Sequence, residues 1–193
     1  AIGSVLSQTY QKWELIIWDN QSVDRSADII LSYDDSRIRY FFAPKHTLLY
    51  EARNYAIKQS KAEFIAFLDV DDRWKPNKLA LQMPLFEDET VGLVCGNYEV
   101  VYANDGWSRP AWQGKKQSGF IVDELLKDYH IGLLTIVIRR SAYEQLNGFD
   151  HRYHIIGDFD LSLRMAELWK IHTLNQVIAF FRMHGENESI KKK

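Results

Sequence analysis

Residues 63–76, EFIAFLDVDDRWKP, carry an apolar segment straight into three carboxylates, Asp69, Asp71 and Asp72. The run at 64–68 predicts a strand, and acids at its end stand at the carboxyl edge of a sheet, where open α/β folds bind their ligands. Adjacent carboxylates repel, and each raises the cost of ionising its neighbour unless a cation lies between them. A hard divalent ion, Mg²⁺ or Mn²⁺, removes that conflict and also bridges phosphate oxygens. The chemistry suggested is a metal-held diphosphate. The bland alternative is a turn whose acids cap a helix expected over 74–86, since Asp is a good N-cap. One acid suffices for capping, and three are present.

Working outward, apolar runs of four to six residues alternate with helical periodicity. ELIIWD (14–19), IRYFFA (38–43) and VGLVCGNYEVVY (91–102) read as strands, and LLYEARNYAIKQS (48–60) has a helical face through Leu49, Ala52, Arg53 and Ala56. FIVDELLKDY, RSAYEQL and DFDLSLRMAELW read as helices, and IHTLNQVIAFFRMH carries the last strand. This alternation implies an α/β fold, a mostly parallel sheet flanked by helices. Such folds normally begin with a strand, whereas this sequence begins in a helical pattern through Ile2, Val5 and Leu6. A first strand is therefore expected to precede residue 1. Residues 103–119, rich in Gly, Trp and polar residues, form the least core-like stretch.

At 193 residues the chain suits a single domain. Lys and Arg number 24 against 26 Asp and Glu, so no bulk basic field recruits nucleic acid. The one cysteine, Cys95, lies in an apolar run and reads as a core residue. The apolar run at 132–138 is far shorter than the ~18 residues of a membrane span. No signal-peptide pattern opens the sequence. Lys191, Lys192 and Lys193 read as a solvated terminus, with peripheral membrane contact as the other option.

HIIGDFDLSLRMAELW (154–169) sets Asp158 and Asp160 at the start of an amphipathic helix. Asp158 can simply cap that helix. A carboxylate held at a helix start and facing the rim of a metal diphosphate can equally take a proton from an attacking hydroxyl.

Together, AIGSVLSQTYQKWELIIWDNQSVD, EARNYAI, FLDVDDRWKPNKLALQ, VIRRSAYEQLNGFDHRY, GDFDLSLRMA and FFRMHGENES resemble, in order and over nearly the whole chain, the family 2 glycosyltransferases of the GT-A fold. The resemblance implies a Rossmann-like single domain, its nucleotide-binding half at about 1–100 and its acceptor-binding half at about 101–193, and a UDP- or dTDP-sugar donor. It also implies inversion at the anomeric carbon, a Mg²⁺ or Mn²⁺ cofactor and a glycan or lipid-linked acceptor at the cytoplasmic membrane face. On this resemblance Asp71 and Asp72 hold ribose, metal and diphosphate, with Asp69 in support. Asp158 matches the catalytic base, and Gly157 stands where the pair is usually Glu-Asp. Asp19 and Asn20 match paired acids that approach the nucleobase, Asn20 departing from the common Asp.

Arg53 matches a basic residue beneath the donor and serves either a phosphate or an internal ion pair. Arg182 and His184 match a segment that closes over the diphosphate, His184 as a metal or phosphate ligand or as a structural histidine. Trp74 is expected to pack at the site wall and Lys78 to be solvated. Trp107 and Trp112 either stack on a sugar or anchor the 103–119 loop. Two rivals stand beside this reading. DVDD is similar to the motif of haloacid-dehalogenase-type phosphatases, although Asp72 and Arg73 stand where those continue with Gly and then Thr or Val. A metal-dependent phosphatase or nucleotidyltransferase, or a non-catalytic nucleotide-sugar or glycan binding module, would use the same acids.

Overall fold

A computed structural model describes residues 1–185 and 187; the terminal lysines of the sequence lie outside these. In chain order the elements are α1 (Ile2–Leu6), β1 (Leu15–Asp19), α2 (Ser26–Leu31), β2 (Ile38–Phe42), α3 (Leu49–Lys58), β3 (Phe64–Ala66), β4 (Arg73–Trp74) and α4 (Lys78–Gln82). There follow β5 (Val91–Tyr102), β6 (Ser108–Pro110), α5 (Val122–Lys127), β7 (Val137–Arg139), α6 (Arg140–Gln145), α7 (Gly157–Leu168) and β8 (Lys170–Met183).

The strands expected from the sequence form, but the sheet is mixed. β1 and β2 pair in parallel as a sheet of their own. The larger sheet runs β3-β7-β5-β8-β4, with β6 on β5, and only its β5–β8 ladder is parallel. A parallel pair needs a long crossover, whereas a reversed strand needs only a short connection. Short apolar runs do not announce which of these the chain takes.

Both faces of the large sheet are covered at its centre, which is why β5 opens with the unbroken buried run Val91–Cys95. Leu93 and Ile138 are register partners on one face, with Phe149, Met165 and Ile171 in the same cluster. Their neighbours Val94 and Val137 pair on the other face, with Trp74, Phe86 and Ala179. Cys95 belongs to the first cluster, its thiol pushed up to about 11 by burial, as suits a core residue. No helix among the described residues is long and apolar enough to cross a membrane.

The region after the acids differs from expectation in two ways. Instead of one helix over 74–86, Arg73–Trp74 extend as β4 against Phe180 and Ala179 of β8, α4 spans only Lys78–Gln82, and Met83–Glu87 tighten into a 3-10 turn. Pro84, with no N–H for an α-helical bond, accounts for the tightening. Lys78 is not solvated but fully buried, its Nζ 4.2 Å from the centre of the Trp74 ring. Trp74 is buried as well, and its indole N–H donates to the Leu134 carbonyl at 2.8 Å.

Candidate active site

The acidic loop leaves β3, crosses 67–72 and returns as β4, whose pairing with β8 lays the acids against the end of that strand. None of the three acids caps a helix: α4 starts after Asn77 without a side-chain cap. The capping alternative is thereby removed. Each acid has its own partner. Asp69 pairs with Arg53 Nη2 at 2.7 Å, with more than half of its side chain exposed. Asp71 Oδ2 lies 2.8 Å from His184 Nε2 and 3.2 Å from Asn187 Nδ2. Asp72 is only 2% exposed, and its Oδ1 accepts the backbone N–H of Arg182 at 3.0 Å.

These surroundings decide the charge on Asp72. Burial pushes its carboxyl up, the nearby charges of Asp71 and Asp69 add to this, the Arg182 N–H opposes it, and the result is about 7. A group poised there exchanges its proton for a cation readily.

Asp158 occupies the first turn of α7, where the helix dipole favours a negative charge. Ile156 precedes the helix without a side-chain cap, so Asp158 is not its N-cap. Its Oδ1 accepts the Phe159 N–H at 3.0 Å and lies 3.2 Å from the Tyr50 hydroxyl. Asp160, two residues on, is bound to Arg164 at 2.6 Å, and Arg164 in turn donates to the Leu146 and Gly148 carbonyls. That acid is structural. Burial pushes the Tyr98 phenol up, Arg109 opposes this, and the charges of Asp72 and Asp158 add to the rise.

Asp19 and Asn20, the expected nucleobase pair, are held by hydrogen bonds. Asp19 is buried, accepting the Ser22 N–H at 2.7 Å and the Tyr40 hydroxyl at 2.8 Å. Burial raises its carboxyl, but these bonds outweigh that and hold it below its ordinary value. The Asn20 amide clasps the backbone of Thr47, donating to its carbonyl at 2.8 Å and accepting its N–H at 3.1 Å. Both side chains thus brace the loops beside β1 and β2. The side chain of Arg182 is exposed, and the tie of this residue to the acids runs through its backbone. Trp112 stands edge-on to His130 at 5.8 Å and anchors the 103–119 loop. Trp107 leans on Tyr102 at 5.2 Å and is 57% exposed.

Three participants escaped the sequence reading. Asn187 lies within the HGENES motif, so a signal for it existed. Tyr50 and Tyr98 sit among apolar residues and look like core aromatics.

The chain as a whole is matched by known proteins. The profile of glycosyl transferase family 2 matches residues 1–166. The chain belongs to glycosyl transferase family 2. As a member of this family it is similar to the UDP-Glc:alpha-D-GlcNAc-diphosphoundecaprenol beta-1,3-glucosyltransferase WfgD of Escherichia coli. That match is 34% identical over 91% of this chain and 66% of WfgD. It is similar also to the putative teichuronic acid biosynthesis glycosyltransferase TuaG of Bacillus subtilis, 32% identical over 99% of this chain and 75% of TuaG. The crystal structure of S. aureus TarS 1-349 in complex with UDP-GlcNAc superposes with a TM-score of 0.75 at 16% identity, over 100% of this chain and 56% of that one. This likeness establishes the GT-A glycosyltransferase fold; the chain spans about two thirds of WfgD and little more than half of the TarS chain.

Among the described residues no group of three or more His, Cys, Asp or Glu side chains converges on one point for a metal. Asp71 Oδ2 and His184 Nε2 stand side by side, an oxygen and a nitrogen that would be the protein's donors to a divalent ion.

Proposed function

We propose that this glycosyltransferase moves a hexose, glucose in the first instance, from a UDP-sugar to a hydroxyl of a lipid-linked N-acetylglucosamine diphosphate, with inversion. The observation that carries the reading is the meeting of Asp71 with His184 and of the buried Asp72 with the Arg182 N–H at the end of β8, together with Asp158 in the first turn of α7. Donor and acceptor are taken from the family relatives: WfgD is named for UDP-glucose and a diphosphoundecaprenol-linked sugar. A β-linkage formed from an α-linked donor requires one displacement, hence one base and no covalent intermediate.

In this reading the acceptor oxygen attacks the anomeric carbon from the face opposite the diphosphate, and the bond between carbon and the bridging oxygen breaks with its electron pair leaving on UDP. Asp158 receives the acceptor proton. Asp71 and His184, with Asp72 behind them, would hold a divalent cation, which when bound neutralises charge on the departing diphosphate. Arg53, ion-paired with Asp69, keeps the acidic loop in place beneath the donor. A lipid-linked acceptor would put the reaction at the cytoplasmic membrane face, with the protein in peripheral contact.

The test is incubation with UDP-glucose, Mn²⁺ and a synthetic lipid-linked N-acetylglucosamine diphosphate. The expected result is a disaccharide lipid and stoichiometric UDP, both abolished by EDTA. Metal-dependent phosphate release from p-nitrophenyl phosphate without a nucleotide-sugar would instead make the protein a phosphatase. UDP binding without turnover on any acceptor would make it a binding module.

A further inference from the structure

Tyr50 is 2% exposed, on the first turn of α3, and its hydroxyl donates to the Ile155 carbonyl at 2.7 Å while lying 3.2 Å from Asp158 Oδ1. One proton therefore faces two acceptors, a backbone carbonyl and a carboxylate. The ring packs on Phe149 at 5.1 Å and lies directly over Gly157. A Cβ at residue 157 would stand 2.6–2.8 Å from three of its ring atoms. Any side chain there would drive the ring aside and take the hydroxyl off Asp158. Tyr50 and Gly157 are thus one device: the ring fills the space that the glycine leaves.

We propose that Tyr50 is a positioning residue for the general base, an inference that rests on the assignment of that role to Asp158. With Oδ1 sharing the Tyr50 proton with the Ile155 carbonyl and accepting the Phe159 N–H, the carboxylate has one orientation, and Oδ2, which has no hydrogen bond from the described residues, is left for the acceptor hydroxyl. During transfer the acceptor proton passes to Asp158, and Tyr50 keeps its own. Once the carboxyl is protonated the phenol still has the Ile155 carbonyl, so no buried hydroxyl is orphaned. Burial, then the Asp158 charge, pushes the phenol up to about 12, so it remains a donor throughout the working range. The same helix carries Arg53, whose guanidinium is bound to Asp69. One turn of α3 therefore fixes the base and the acidic loop relative to each other.

The test compares Tyr50→Phe, Asp158→Asn and the double variant, with UDP-glucose, Mn²⁺ and the synthetic acceptor lipid, and with water as acceptor in parallel. Tyr50→Phe keeps the ring and loses the hydroxyl. The expected result is a fall in kcat of about 10-fold or more with KM for UDP-glucose within about twofold, since only orientation at the reacting oxygen is lost. In the Asp158→Asn background the same substitution should change the residual rate no further. A purely structural role would lower the melting temperature and leave kcat intact. If Asp158→Asn is inactive and Tyr50→Phe keeps its kcat, or if the two effects multiply, the positioning role is overturned while the base stands. Near-normal turnover by Asp158→Asn overturns the base, and the role of Tyr50 with it. Gly157→Ala, which must displace the ring, gives an independent reading and should reproduce the kcat defect of Tyr50→Phe.

Discussion

The Nε2 atom of His184 lies 2.8 Å from Oδ2 of Asp71, a contact that closes 113 residues of sequence. The Asn187 amide supports it twice, donating to the same carboxylate oxygen and accepting the backbone N–H of His184 at 2.6 Å. Asn187 thus holds the turn that delivers the imidazole. With His184 as a ligand, His184→Ala should raise the Mn²⁺ concentration for half-maximal UDP binding by about 10-fold or more, a loss of about 1.4 kcal/mol, measured by calorimetry at fixed UDP. An unchanged midpoint would make the histidine a structural partner of Asp71.

Asp158→Asn should lower kcat by about 10²–10⁴, the usual contribution of a positioned general base. The amide keeps the shape of the carboxylate and the Phe159 N–H bond, so donor affinity should change little. Fluorescence or calorimetric titration with UDP and Mn²⁺ separates the two quantities.

Asp72 gives metal-free protein a pH signature. Its folded carboxyl, at about 7, is raised above the ordinary 3.8, so between these values the folded state holds a proton that the unfolded chain has released. The associated stability is fully present below about 3.8 and is lost as pH rises through about 7. In EDTA, the melting temperature should therefore fall across this window from the Asp72 contribution. Asp72→Asn should flatten that component, which paired melts of the two proteins at pH 5 and pH 7.5 will show.

Lys78 is a buried amine whose Nζ has no hydrogen-bond partner among the described residues. Burial holds its pKa well below the usual 10.5, and only the face of Trp74 offsets the lost hydration. Lys78→Met fills the same space without the polar group and should stabilise by about 1–3 kcal/mol at pH 7. Because the unfolded chain takes up the proton that the folded one refuses, stability of the parent rises with pH toward 10.5, and its gap to the variant should narrow. Denaturant melts at pH 7 and pH 9.5 test both the sign and the trend.

Much of this architecture is local in origin. The strands at 15–19 and 38–42 and the helices at 49–58 and 157–168 fall where apolar runs and 3.6-residue periodicity put them. The acids after β3, Asp158 at the opening of α7 and His184 after β8 were likewise legible as motifs. Local pattern failed at β4 and α4, where EFIAFLDVDDRWKP turns back as a strand and the apolar face that follows is divided by Pro84. It failed again at Lys78, since a lysine in a sequence carries no mark of burial.

Asn20 shows the same limit from the other side. As a polar residue after a strand it suits a ligand, and only the approach of the 43–48 loop shows that its amide is engaged with Thr47.

By itself, the sequence determined the elements outside β4 and α4, the family and the chemical types at the site, because residue preference and periodicity act over a few residues. Only the tertiary structure decided which way the strands run, that Asp72 is buried beneath the Arg182 N–H, and that Tyr50 lies over Gly157 with its hydroxyl at Asp158. The last of these joins residues 108 apart. Packing of the whole sheet and its helices sets such contacts, and no local preference encodes them.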